Sequence, residues 1–397
     1  MRCKKKMKDF DPLVDTRPIS YVQKHARVAP EFDHSILVTS PGHWDVGSLM
    51  TCEKIELGHD VPSDAVCQWI DDGLTYYLRK RSVPKTELGD GDPEPGIMIR
   101  SEFRGIWTLS PNVFCKTDSW IEGVTTDAES IRFVNEKIPS IPTEELIYDW
   151  IDHNWYRWFM LSKRVPGTRF YEAWVKLTNN QRLDVAADVA KHAKALAAFT
   201  SEYIETVTGQ GVEGHHRLQP RDDLPNWKPR IEPRVSGEEH DAAMNRVWSK
   251  KYIAYPKSKG PFVLQHRDLI PTNIFVTTPE DPDKKAEVTA IIDWQSLSYF
   301  PHYMIATIPR CLWSYGVYDQ PDGNDWQWML SNALYNQGFP LEMRFMKSLT
   351  HPAFYCVRHL LLEVENDLQM DPKNKPQEHT KDDAPEDTKN SLPEKTE

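Results

Sequence analysis

The sequence predicts an α+β chain, with strands gathered in its first part and helices in its second. Three observations carry that reading. Phe103 to Leu109 and Asn112 to Lys116 are apolar runs around the turn cluster Ser110-Pro111-Asn112, the signature of a hairpin. Val185, Val189, His192, Leu196, Phe199 and Tyr203 recur at alternating spacings of four and three, one buried stripe of a helix over about 183–206. Three short apolar runs, Phe262 to Leu264, Ile274 to Val276 and Ala290 to Ile292, then read as strands whose ends carry polar side chains.

In chain order, residues 1–35 are polar, hold three prolines and keep no period, so they form an extension. Ile36-Leu37-Val38 and Tyr76-Tyr77-Leu78 read as strands, and Ala65 to Ile70 fits a short helix or a strand. Leu88 to Gly96 is a loop by composition. Its Asp90, Asp92 and Glu94 would repel a triphosphate, so its glycines are assigned to a solvent turn rather than a phosphate cradle. A helix over 127–138 follows, with Ile131, Val134 and Ile138 on one face and Thr126 and Glu129 as a capping box; Pro139 and Pro142 end it. Trp155 to Leu161 reads as a strand, and Ser162 to Phe170 as a turn-rich hinge. His192 is taken as a packed core histidine. Residues 209–235 make a long loop in which His215, His216 and Trp227 line a pocket or are solvated, before a short helix near 238–253. The aromatic stretch from Trp294 to Trp328 is assigned mainly to core packing. Two more helices follow, near 340–350 and 352–369, and a disordered tail runs from Asp371.

Composition excludes several classes. The net charge is −11 and no Lys/Arg stripe with interleaved aromatics occurs, which argues against nucleic acid or an anionic membrane as partner. No apolar run is long enough for a membrane span. The six cysteines have no close pair, so neither a disulfide framework nor a zinc site is signalled, and free thiols fit a reducing compartment. The basic start, Met1 to Lys8, lacks an apolar core and turns acidic at Asp9 and Asp11. A cytoplasmic location is expected, with mitochondrial association as the alternative.

The polar strand ends carry the chemistry. The first run delivers His266, Arg267 and Asp268, Asn273 stands just before the second, and the third delivers Asp293. One carboxylate to accept the proton of an attacking hydroxyl, with oxygen ligands to hold magnesium on nucleotide phosphates, is what phosphoryl transfer needs. Lys116, at the end of its strand, is on its own a strand-edge lysine. Glu129 has two readings: it caps its own helix, or it holds Lys116 by an ion pair, with Glu136 as the fallback partner.

Taken together these stretches resemble a known family. His266-Arg-Asp-Leu-Ile-Pro-Thr-Asn273 looks like the catalytic loop of the protein-kinase-like superfamily. Ile291-Ile-Asp-Trp-Gln resembles the metal-binding segment of its aminoglycoside phosphotransferase-like, or choline-kinase-like, branch, of which a fungal subgroup is nearest. Asn112 to Lys116, Ala128 to Val134 with Ile141-Pro142, and Phe159 to Gly167 resemble that subgroup in the same order, over about residues 100–320. The resemblance implies a bilobal kinase-like fold: an extension at 1–35, a small antiparallel-sheet N-lobe at 36–161, a mainly helical C-lobe at 162–370 and a tail at 371–397. It implies an ATP- and magnesium-dependent phosphotransferase acting on a hydroxyl of a small metabolite. Asp268 would be the catalytic base, Asn273 and Asp293 the magnesium ligands, Lys116 the phosphate contact and Glu129 its support. Ser162, Lys163 and Arg164 would offer backbone groups to the adenine, and His266 would order the catalytic loop.

The sequence departs from the family pattern in three places. No glycine-rich loop precedes Lys116, and Gly105 is the candidate for the roof. Asn273 and Asp293 lie 20 residues apart, a separation that an extended hairpin turn absorbs. Trp294-Gln295 follows Asp293 and no activation-loop pattern comes after it, which favours a small acceptor over a protein. Two rivals are kept: a catalytically impaired kinase-like binding or scaffold protein, motivated by the missing glycine-rich loop, and, lower, a protein kinase.

Overall fold

The computed structural model describes residues 30–85, 92–94, 96–100, 104–213, 231–248, 258–307 and 323–340. They belong to one compact unit, Met1–Thr350; a second, His351–Glu397, lies outside the described residues. The expected helices near 340–350 and 352–369, the tail, His215, His216 and Trp227 also lie outside them.

The first part is built from two antiparallel sheets. Strands β1 (Ile36–Ser40), β2 (His43–Val46), β3 (Met50–Glu56), β4 (Ala65–Asp71), β5 (Leu74–Lys80) and β6 (Asp92–Pro93) form one sheet in the order β4-β5-β3-β2-β1-β6. The strands β7 (Ile97–Arg100), β8 (Arg104–Ser110), β9 (Val113–Ser119), β10 (Leu146–Asp152) and β11 (Arg157–Lys163) form a second, ordered β10-β11-β9-β8-β7. Of the strands read for 36–100, β1 and β5 were expected and β4 was left open between helix and strand. β2, β3 and β7 were not anticipated, and the two-residue β6 lies within the stretch read as a loop.

Side-chain alternation assigns the faces of the second sheet. Phe159 and Leu161 of β11, Cys115 of β9 and Trp107 of β8 share a core with Ile36, Val46, Met50, Cys52 and Leu78 of the first sheet. Trp158 and Met160 belong instead to a core with Ile131 and Val134 of helix α1 (Asp127–Lys137). β11 is therefore covered on both faces, and its near-continuous apolar run follows from that. Cys52, Cys67 and Cys115 are free thiols, and burial raises the pKa of each.

Two polar clasps join the sheets. Asp71, at the end of β4, accepts from Ser110 Oγ, the Asn112 amide and Asn112 Nδ2 in the β8–β9 turn. Asp152, wholly buried at the end of β10, accepts from Ser48 Oγ at 2.8 Å and from the Ser48 amide.

Beyond the hinge, β12 (Thr168–Arg169) precedes helix α2 (Asn179–Ala197), which Thr178 caps through a capping box with Gln181. The stripe Val185, Val189 and Leu196 is buried as expected, but the helix is displaced from 183–206. Its start is set by the cap. Its end is set by β13 (Thr200–Ser201), which leaves the helix to pair with β16 (Phe262–Gln265). Tyr203, assigned to the stripe, is 39% exposed. His192 is half-buried and its pKa is lowered, chiefly by burial.

The strands β14 (Val212–Glu213) and β15 (Ile231–Glu232) pair antiparallel, and helix α3 (Gly237–Trp248) opens on Ser236, which caps Glu239. β17 (Ile274–Val276) and β18 (Val288–Ile291) form the extended hairpin the long insert predicted, with Ile274 opposite Ile291. β19 (Ser298–Phe300) pairs β16. Helix α4 (Gly323–Asn336), inside the aromatic stretch, packs Trp326, Met329, Leu330 and Leu334 against Phe170 and the Val185 stripe. Among the described residues no helix is long and apolar enough to cross a membrane.

Candidate active site

The site forms where β9, α1 and the ends of β16 and β18 meet. Lys116 is on the face of β9 that looks away from the first sheet, 7% exposed. Its Nζ donates to Asp127 on α1 and, at 2.7 Å, to Asp293 Oδ1 across 177 residues of chain. Burial opposes the charge on Lys116, but Asp127 and Asp293 outweigh it and hold the pKa above the usual lysine range. Burial likewise works against an ionised Asp293. Lys116 and Arg104 overrule it and keep that carboxyl far below the usual range.

Glu129 is not the support of Lys116. It is spent on its own helix, where Oε2 accepts the Thr126 amide at 2.7 Å and its own amide donates to Thr126 Oγ1 at 3.2 Å. The partner is Asp127, the first helical residue, fully buried against β9. An acid at that position also suits the positive end of the helix. Glu136, the fallback, pairs with Lys137 on the surface.

The catalytic-loop residues lock one another. His266 is 1% exposed, and its pKa is lowered chiefly by burial, so the ring is neutral. Its Nε2 meets the Ile292 carbonyl at 3.0 Å, which can only accept, so Nε2 carries the proton. Nδ1 then accepts the Asp268 amide at 3.3 Å. Asn273 Nδ2 donates to Asp268 Oδ2 at 2.9 Å and to the Asp268 carbonyl at 3.0 Å, while the Asn273 carbonyl accepts the Ile292 amide at 2.9 Å. His266, Asp268, Asn273 and Asp293 thus flank three strand ends tied through Ile292. Arg267 and Asp293 both adopt left-handed backbone, at φ 61° and 68°. That conformation is costly for residues with a side chain and clusters at functional sites. Trp294 stacks edge-to-face on His266 at 4.6 Å and buries it.

The hinge is partly committed elsewhere. Ser162 Oγ donates to Glu144 Oε2 at 2.9 Å. The Lys163 amide donates to the Glu145 carbonyl and the Arg164 amide to the Asn112 carbonyl, so the donors expected for adenine at these two positions are already used. The Arg164 side chain lies on the Phe114 ring, 4.5 Å from its centroid, and Lys163 pairs with Glu145. Gly167 at φ 91° is required, because a Cβ there would meet Thr289 Oγ1 at 2.4 Å. Gly105, the sequence candidate for the roof, makes room for a side chain instead: a Cβ would lie 2.1 Å from the Trp107 ring.

Five site residues were not anticipated: Arg104, Asp118, Asp127, Glu144 and Gln295. Arg104 Nε donates to Asp118 Oδ2 at 2.7 Å, and its Nη2 donates to Gln295 Oε1 at 2.5 Å. Burial raises the pKa of Asp118 against the pull of Arg104. Glu144 is pushed up to about 7, first by burial and then by Asp127. Two signals could have found some of them. Asp118 shares a strand face with Lys116, and Gln295 is two residues beyond Asp293.

Residues 143–303 match the phosphotransferase enzyme family, APH. No curated protein matches the chain. Among solved structures, an aminoglycoside-3'-phosphotransferase of type VIII is similar at 17% identity and a TM-score of 0.35, covering 78% of this chain and 93% of that one. The GDP and kanamycin complex of APH(2")-IIia is similar at 13% identity and a TM-score of 0.40, covering 69% and 86%. The streptomycin–ATP–APH(2")-IIa ternary complex gives 12% identity and a TM-score of 0.35, covering 68% and 87%. Lys116, Asp127 and Arg104 stand upstream of the matched stretch. Glu144, Ser162, His266, Asp268, Asn273 and Asp293 fall inside it.

Proposed function

We propose that the chain is an ATP-dependent phosphotransferase that moves the γ-phosphate to a hydroxyl of a small metabolite. Its body would be two-lobed, with a nucleotide lobe at 36–161 and an acceptor lobe at 162–370. The observation that carries the reading is the Lys116–Asp293 contact, 2.7 Å across 177 residues, beside the Asp268–Asn273 pair. It gathers a lysine for phosphates, an ionised carboxylate, an amide and a second carboxylate.

In this reading Asp268 accepts the proton of the acceptor hydroxyl, and Asn273 Nδ2 holds its Oδ2 in place. Neutral His266 keeps the Asp268 backbone fixed from behind. The residues present fit magnesium. Asp293 is held ionised, and Nδ2 of Asn273 is used on Asp268, which makes its amide oxygen the atom that could hold a metal; both are hard oxygen donors. When bound, that ion would supply charge neutralisation on the transferring phosphates. Lys116 exchanges Asp293 for phosphate oxygens while Asp127 keeps its ammonium aimed.

Asp268→Asn tests this in an ATP-consumption assay with a panel of hydroxyl-bearing metabolites. Turnover is expected to fall about 10²- to 10⁴-fold, the range of a lost general base. Equal turnover in wild type and variant would remove Asp268 from the chemistry. A second reading, a nucleotide-binding module without transfer, draws on the two cations that Asp293 carries. A magnesium-dependent thermal shift with ATP, and no transfer to any acceptor, would favour it.

A further inference from the structure

We propose that Arg104 is the phosphate-binding residue of the roof strand, meeting the terminal phosphates of a nucleoside triphosphate where a glycine-rich loop would otherwise do so. The inference rests on the phosphotransferase reading above.

Arg104 opens β8 and stands directly opposite Asp118 of β9. Asp118 is 3% exposed and two residues from Lys116, on the same strand face. The guanidinium is held at one corner, with Nε on Asp118 Oδ2 at 2.7 Å. Its other two nitrogens reach the opposite wall. Nη1 lies 3.3 and 3.5 Å from the two Asp293 carboxylate oxygens, and Nη2 is 2.5 Å from Gln295 Oε1. An anchored Nε with both Nη atoms directed across the cleft is the fork that pairs with phosphate oxygens.

The charges explain why this arginine is here. Asp293 carries Lys116 and Arg104 together. Once that carboxylate turns to a divalent cation, both cations lose a partner at the point where phosphate charge arrives. Asp127 would still hold Lys116 and Asp118 would still hold Arg104, so both stay aimed at the cleft. The sequence offers no glycine cradle on this strand. From Arg100 to Arg104 the sequence holds no glycine, and Gly105 is filled by the Trp107 ring. Arg104, the first described residue of β8, is the phosphate donor this strand presents to the cleft.

The test is equilibrium binding of ATP, ADP and adenosine, with magnesium, to the full chain and to Arg104→Met and Arg104→Lys, with thermal midpoints confirming folding. Arg104→Met is expected to weaken ATP about 10- to 100-fold, ADP less, and adenosine within about twofold, the loss of charge-assisted contacts to phosphate alone. Arg104→Lys, which keeps the charge and loses the fork, should fall between and carries the test if the Met variant does not fold. Unchanged ATP affinity would overturn the proposal. So would an equal loss for adenosine, which marks a structural role, or tighter ATP binding, which marks a plug over Asp293. If the wild-type chain binds none of the three, the phosphotransferase reading itself fails and takes this one with it.

Discussion

Glu144 is a carboxyl group whose surroundings favour its protonated form. Burial and Asp127 push it up to about 7, while Lys116 and the Ser162 hydroxyl pull the other way. In the unfolded chain its pKa returns to the ordinary value near 4.3. Between those values the folded state holds the extra proton, so stability falls as pH rises through that window and levels off above it, by at most about 1.4 kcal/mol per pH unit. Glu144→Gln should flatten this. Thermal midpoints between pH 5 and 8 are expected to drop for the wild type and change less for the variant; parallel profiles would free Glu144 of the effect. The functional residues divide here by how far their signals travel in sequence. Asp268, Asn273 and Asp293 sit next to apolar strands and were legible. Asp127 and Arg104 were not, because each acquires meaning only from a partner more than ten residues away, which no local pattern records.

At the scale of elements, one clasp has a measurable worth. Asp71 is 7% exposed, and its pKa is lowered although burial alone would raise it, because Ser110 and Asn112 donate to it. Removing it leaves the buried Ser110 hydroxyl without its acceptor, while the exposed Asn112 donors turn to water. Asp71→Ala is expected to cost about 1–3 kcal/mol in urea unfolding, and Asp71→Asn less, since the amide keeps one accepting oxygen. A loss below 0.5 kcal/mol would make the clasp incidental. The β8–β9 hairpin, α1 and the β17–β18 hairpin were legible because turn or cap residues bound a clear period. β10 was missed because Asp149 and Asp152 interrupt its two faces; the second is buried, its charge met by Ser48, Asn154 and Trp155. The end of α2 was missed because Thr200 and Ser201 answer to β16 rather than to helical propensity. α4 was hidden among aromatics that serve a core.

Over the whole molecule, the stretch that matches the family and the stretch that folds are different lengths of chain. β11, inside residues 143–303, pairs with β9, outside them, and its outward face is shared with the six-stranded sheet. A protein trimmed to the matched stretch would present Phe159 and Leu161 to water, both fully buried in the intact chain. The same holds, less severely, for one begun at residue 96, which strips the first sheet from Trp107, Cys115 and Trp150. Expressed alone, either fragment is expected to be insoluble or to lack a cooperative melt, whereas the chain from residue 30 should melt as one transition. A soluble, cooperatively melting 96–350 fragment would show the first sheet to be dispensable. The segment that carries the likeness is thus not a unit of folding: similarity runs along the sequence, and the packing that supports it runs across the sheets.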